Sequence, residues 1–240
     1  MIVGLGIAGV TLLVLFVLQE RRAAEPVIPL RLFRSGPFSV TSGTALLVGL
    51  AMFGALTFLP LFLQVVDGAS PTGSGLLMLP LMAGLLAASI SSGRLITRIG
   101  RYKVFPVAGA AIMTAGMFLL SLLDVHTARA TSSLYMLVIG VGIGMLMPVL
   151  VLVAQNSASP RDIGAATSTA TFFRSIGGSM GVAVFGAIFA ARLVTEIARL
   201  VPHGALGNVD SRTLLGSPAV MKQLPATVRD LLLSTLAPAA

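Results

Sequence analysis

Few residues of this chain are equipped for chemistry, and their types and spacing rule out most of the usual kinds. Cysteine is absent and the two histidines, His126 and His203, lie far apart, so thiolates, disulfides and a zinc site have no support. No phosphate-binding glycine loop, Ser/His/Asp set or pair of carboxylates is apparent, so the expectation is a non-enzyme with neither metal nor cofactor. Asp67, Asp124 and Asp162 stand at the edges of apolar runs, where solvation or capping accounts for them. What remains is a handful of polar groups in apolar surroundings. Arg174, among Phe172, Phe173, Ile176 and Met180, sits one to two turns inside such a run and needs a partner. It either gates a pathway or snorkels to the headgroups. Gln64, Gln155 and Asn156 near run ends can hydrogen-bond a substrate, although bonds between helices are the commoner use, and Pro148 joins them as a possible gate or pathway position.

The strongest local pattern is basic. Gly93-Arg94-Leu95-Ile96-Thr97-Arg98-Ile99-Gly100-Arg101-Tyr102-Lys103 reads as a tight turn between two apolar runs. Its glycines permit close packing and a left-handed turn, and its guanidinium groups can meet helix C-terminal carbonyls or anionic lipid heads. A basic turn also arises simply because cytoplasmic loops collect Lys and Arg. The pairs Gly140/Gly144 and Gly177/Gly181 have the four-residue spacing that lets two helices approach closely. Met52, Phe53, Met78, Met82, Met145 and Met147 can line an adaptable apolar pocket, with lipid or core contact as the default.

The elements that position these groups must be membrane helices. The 240 residues are 56% hydrophobic and only 10% charged, with a mean hydropathy of +0.99, which leaves too little polar surface to cover a water-soluble globule. The 26 glycines and 13 prolines suit helices in lipid, and the alternating ten-residue strands of a barrel are missing. Six runs approach the roughly 20 apolar residues that a crossing needs: about 2–18, 37–64, 73–93, 104–123, 133–154 and 164–191. The first lacks the preceding positive charge of a signal peptide. Between the first two, 19–36 is a linker whose middle Pro26 and Pro29 hold extended. The net charge of +8 sits in the connections, as topology signals do, so nucleic acid is not an expected partner. Four arginines in 19–36 and the four basic residues Arg94, Arg98, Arg101 and Lys103 place these two connections inside. The stretch 192–240 then falls outside despite its basic residues, and Arg192, Glu196 and Arg199 are spaced to extend the last helix.

Within the basic turn, Gly93, Leu95, Arg98, Gly100 and Arg101 resemble the cytoplasmic-loop motif of the major facilitator superfamily. The family's acidic residue falls where this chain has Thr97. Glu25-Pro26-Val27-Ile28-Pro29-Leu30-Arg31-Leu32-Phe33, Leu59-Pro60-Leu61-Phe62-Leu63-Gln64, Gly140-Val141-Gly142-Ile143-Gly144 with Pro148, and Phe173-Arg174-Ser175-Ile176-Gly177-Gly178-Ser179-Met180-Gly181 are similar, in order, to stretches of the second half of its fourteen-helix drug:proton antiporter branch.

The resemblance implies an all-α polytopic membrane protein of about six transmembrane helices, a partial second half of the major facilitator fold. Residues 1–18 would be the helix preceding that half, 19–36 a cytoplasmic linker and 37–191 five of its helices. Residues 192–240 would form an extracytoplasmic loop or tail, with the last helix beyond Ala240. It further implies alternating access in the plasma membrane: export of hydrophobic or cationic small molecules in exchange for protons, by this piece together with the missing N-terminal half. The coupling acid would lie in that half, because the interiors of these runs hold no Asp or Glu. A non-transporting membrane interaction module and a permease subunit driven by a separate ATPase are the alternatives.

Overall fold

The computed structural model of the chain describes residues 2–22, 28–65, 68–100, 102–123 and 127–200. An apolar stretch of spanning length finds no water for its amides in lipid, so the backbone must satisfy itself, and the elements are all helical. They are α1 (Ile2–Arg22), α2 (Gly36–Val65), α3 (Pro71–Leu77), α4 (Leu79–Ile99), α5 (Val104–Leu120), α6 (Arg129–Asn156) and α7 (Ile163–Leu200), with short 3-10 helices at Leu30–Arg34 and Pro160–Asp162. Four rods, over 36–64, 71–99, 129–156 and 160–192, are long and apolar enough to cross a membrane, and α5 is a shorter apolar helix.

Local chemistry sets the boundaries. Ser70 caps α3 by accepting from the Gly73 amide at 3.0 Å, and Pro71 follows in the first turn, where its missing N–H is not needed. Pro80 cannot donate to the preceding turn, and the rod breaks at Met78 into α3 and α4. Gly100 ends α4 in the left-handed region, at φ 70°, with its amide bonded to the Ile96 carbonyl at 2.9 Å.

Several expectations are corrected. The basic motif is not a turn throughout, because Gly93 to Ile99 form the last two turns of α4 and the reversal starts at Gly100. In the linker 19–36, Pro29 is extended as expected and Pro26 lies outside the described residues, while the ends are helical: α1 runs on to Arg22, and Leu30–Arg34 coil into a 3-10 helix. Spans five and six are longer than their apolar cores, since polar ends such as Arg129, Asn156 and Arg192 continue the helix past the hydrophobic boundary. The tail beyond Leu200 lies outside the described residues.

The helices pack in two main pairs, α4 on α6 and α2 on α7, with α5 laid against α6 and with α6 meeting both α2 and α7. Leu63, Leu81, Met136, Ile139 and Ile143 are fully buried between them. Leu76, Leu79, Leu86 and Ile90 of the α3–α4 rod and Val104, Val107 and Phe118 of α5 point outward. So large an exposed apolar surface is the mark of a protein whose solvent is lipid.

The two pairs share one geometry. On α6 and α4, a side chain at Gly140 would collide with the Leu81 carbonyl and one at Gly84 with the Leu137 carbonyl. On α2 and α7, Gly49 meets the Arg174 carbonyl and Gly177 meets the Leu46 carbonyl in the same reciprocal way. Each helix thus carries its contact residue and its glycine three positions apart: Leu137/Gly140 with Leu81/Gly84, and Leu46/Gly49 with Arg174/Gly177. The match extends one turn further, where Gly144 against Leu85 corresponds to Phe53 against Gly178. Since successive rods alternate in direction, α2 matches an antiparallel α6 and α4 an antiparallel α7, which is an inverted repeat about a pseudo-two-fold axis.

Candidate functional site

Arg174 lies about three turns, ~16 Å at 1.5 Å per residue, from the start of α7 at Ile163. That is further along than one to two turns, since Gly164, where the apolar run begins, already lies ten residues before it. Its side chain is partly buried and stays inside the bundle, where Nη1 donates to Met147 Sδ of α6 at 3.2 Å, beside Pro148. Among the described residues no carboxylate pairs with it.

About a quarter turn round α7 from Arg174 the helix is polar. Ser168, Thr171, Ser175 and Ser179 are exposed at helical spacing, and each donates to the carbonyl four residues back at 3.0–3.1 Å. Gln155 Nε2 donates to Thr167 Oγ1 at 3.2 Å, tying α6 to α7, and Gln64 Nε2 donates to Ser74 Oγ at 3.1 Å, tying α2 to α3. Both glutamines are engaged between helices, while Asn156 is the exposed last residue of α6. The structure therefore brings Arg174, Pro148 and Gln155 to neighbouring turns of α6 and α7 and leaves Gln64 at the opposite end of the bundle.

All four motif glycines of the packing pairs meet backbone: Gly140 and Gly144 press on α4, Gly177 and Gly181 on α2. Gly93 does not, since nothing lies within 4 Å of where its side chain would be, so it has no close-packing role among the described residues. Leu95, Arg98 and Lys103 are exposed around the reversal, and Arg101 lies outside the described residues. Thr97, at the family's acidic position, donates to the Arg94 carbonyl at 2.8 Å.

Two features escaped the sequence reading. At the basic end, Arg31 of the linker 3-10 helix donates to Asp162 Oδ1 at 2.7 Å, and Ser159 Oγ donates to Oδ2 at 2.8 Å. These bonds from Ser159 and then Arg31 hold the Asp162 carboxyl below the usual carboxylate range. Beneath them Leu32, Phe38, Ala154, Ala166 and Ala170 form a buried cluster, so the linker is fastened over the ends of α2, α6 and α7. At the other end, a cavity of about 340 Å³ between α2, α5 and α7 is lined by Phe58, Phe62, Phe185, Phe189, Met117 and Arg192, among others. Of the methionines and phenylalanine singled out above, none lines it, and Met78 is in the core. Under the pseudo-two-fold match its Gly54 and Ala55 correspond to Met145 and Leu146, where α5 packs on α6 through Gly109. The cavity is thus a place for helix packing, and the polar face around Arg174 is the better candidate for contact with a solute.

Residues 1–182 match the sequence profile of the Major Facilitator Superfamily. The chain belongs to this superfamily. An uncharacterized MFS-type transporter of Mycobacterium tuberculosis is 47% identical over 227 residues, which is 95% of the chain and 32% of that protein. The multidrug transporter protein MdtP of Bacillus subtilis is 35% identical over 235 residues, 89% of the chain and 43% of its own length. A tetracycline resistance determinant of Streptomyces rimosus is 37% identical over 190 residues, 79% of the chain and 54% of its length. The chain spans between about a third and about half of these relatives. It is an integral membrane member of this superfamily, not an enzyme, and the inverted pairing of its helices is the arrangement found within each six-helix half of the superfamily's fold.

Proposed function

We propose that the chain supplies most of one half of a drug exporter that moves hydrophobic small molecules out across the plasma membrane in exchange for protons. The observation that carries this reading is the pairing of α2 with α7 and α4 with α6 through backbone-to-glycine contacts. Such interfaces make each pair stiff, and stiff halves that rock against each other are what alternating access requires. The multidrug and tetracycline-resistance names of two relatives support drug-like cargo. The described spans hold no Asp or Glu in their interiors, so the proton-coupling acid belongs to the part of the protein that this chain does not span. The basic reversal with Arg98 and Lys103 faces the cytoplasm and holds anionic lipid heads.

The test is a chimera in which this chain replaces the matching 227 residues of the Mycobacterium tuberculosis relative. In everted vesicles energised by respiration, it is expected to accumulate a drug-like dye, and a protonophore should abolish the accumulation. Uptake that ignores the protonophore and follows ATP would overturn proton exchange in favour of a permease driven by a separate ATPase. No uptake of any cargo would favour an interaction module.

A further inference from the structure

We propose that Arg174 is an oxyanion-binding residue of the transport pathway, taking a carboxylate, so that the preferred cargo is an amphipathic molecule carrying a negative group and not a pure cation. The inference rests on the exporter reading above and narrows its cargo.

Four observations carry it. The first is position: Arg174 is partly buried about three turns along a helix long and apolar enough to span, where a guanidinium is expensive to keep without a partner. Second, the partner it has is inadequate. Met147 Sδ at 3.2 Å is a weak acceptor for one of five N–H groups, and among the described residues no carboxylate reaches it.

Third, the fold does not require arginine here. Its backbone carbonyl seats Gly49, and the pseudo-two-fold equivalent of that contact is Leu81, whose carbonyl seats Gly140 and whose side chain is fully buried. The same architectural job is done by an apolar residue in the other repeat, so the charge at 174 serves something besides packing. Fourth, the neighbouring face of α7 carries Ser168, Thr171, Ser175 and Ser179, which lipid would not reward. Each is anchored to its own helix carbonyl, which leaves the guanidinium, about a quarter turn round the helix, as the strongest donor beside that face.

A fixed positive charge in a low-dielectric path attracts a carboxylate and repels a cation. The carboxylate has two sources, a transported molecule or an acidic side chain of the rest of the protein. A matched pair of dyes distinguishes them: rhodamine 110, with a free carboxylate, and rhodamine 123, its methyl ester. Binding of each to the detergent-purified chimera is measured directly, and transport is measured separately in vesicles. The expected result is tighter binding of the acid, with Arg174→Gln weakening it about tenfold, as loss of a charge-assisted hydrogen bond does, and leaving the ester within twofold. Arg174→Lys should restore part of the preference. That pattern assigns the carboxylate to the cargo. Equal loss of both dyes with Arg174→Gln, rescued for both by Arg174→Lys, assigns it to a protein acid. Binding of acid and ester that Arg174→Gln leaves unchanged overturns the inference, whether or not transport occurs. Acid-selective, Arg174-dependent binding without transport would overturn the exporter reading alone.

Discussion

At the scale of single residues, glycine positions divide sharply by what a methyl group would meet. Gly140→Ala or Gly177→Ala drives a Cβ into a backbone carbonyl of the facing helix and should lower stability by about 1–3 kcal/mol, as overpacking does. Gly93→Ala meets nothing within 4 Å and should be neutral or stabilising by up to about 1 kcal/mol, since alanine favours helix. Thermal unfolding of the detergent-solubilised variants separates the two classes; equal shifts would contradict the packing described. The pairs Gly140/Gly144 and Gly177/Gly181 were legible because their spacing is local, whereas Gly49 and Gly84, which complete the contacts, were not singled out. Which backbone a glycine meets is decided by a helix dozens of residues away. Arg174 was legible as an anomaly, but its neighbour Met147 is remote in sequence.

At the scale of elements, the linker is the informative case. Pro29 is extended as its ring dictates, and just past it Leu30–Arg34 is helical because Leu32 and Phe33 pack against α2, α6 and α7 and Arg31 finds Asp162. Tertiary contacts of this kind leave no periodic trace in five residues. The bond has a definite pH dependence. Asp162 titrates below the usual carboxylate range in the folded chain, so its contribution is present at neutral pH and is lost only as pH falls through that lowered value. Asp162→Asn should therefore loosen the linker at pH 7, read as faster amide exchange over residues 30–34, while Arg31→Lys should loosen it less. Exchange identical in Asp162→Asn and the parent would show that the apolar cluster alone holds the segment. The break at Met78, by contrast, follows from Pro80, and Pro80→Ala should straighten the rod and raise its helix content.

At the scale of the whole molecule, the fold class followed from composition, because apolar runs of spanning length admit few solutions in lipid. The inverted pairing and the cavity at its α2–α7 side did not, since both arise from how rods meet. The claim on which everything rests is that these rods cross a bilayer with the arginine-rich reversals on the cytoplasmic side. The absence of cysteine makes it directly measurable, because a single introduced thiol is the only one to label. Thr72 and Thr97 lie exposed at opposite ends of one rod, α3–α4. In intact cells expressing this chain, an impermeant maleimide should label Thr72→Cys and spare Thr97→Cys until the membrane is opened. Labelling of Thr97→Cys in intact cells, or equal labelling of both, would contradict the account.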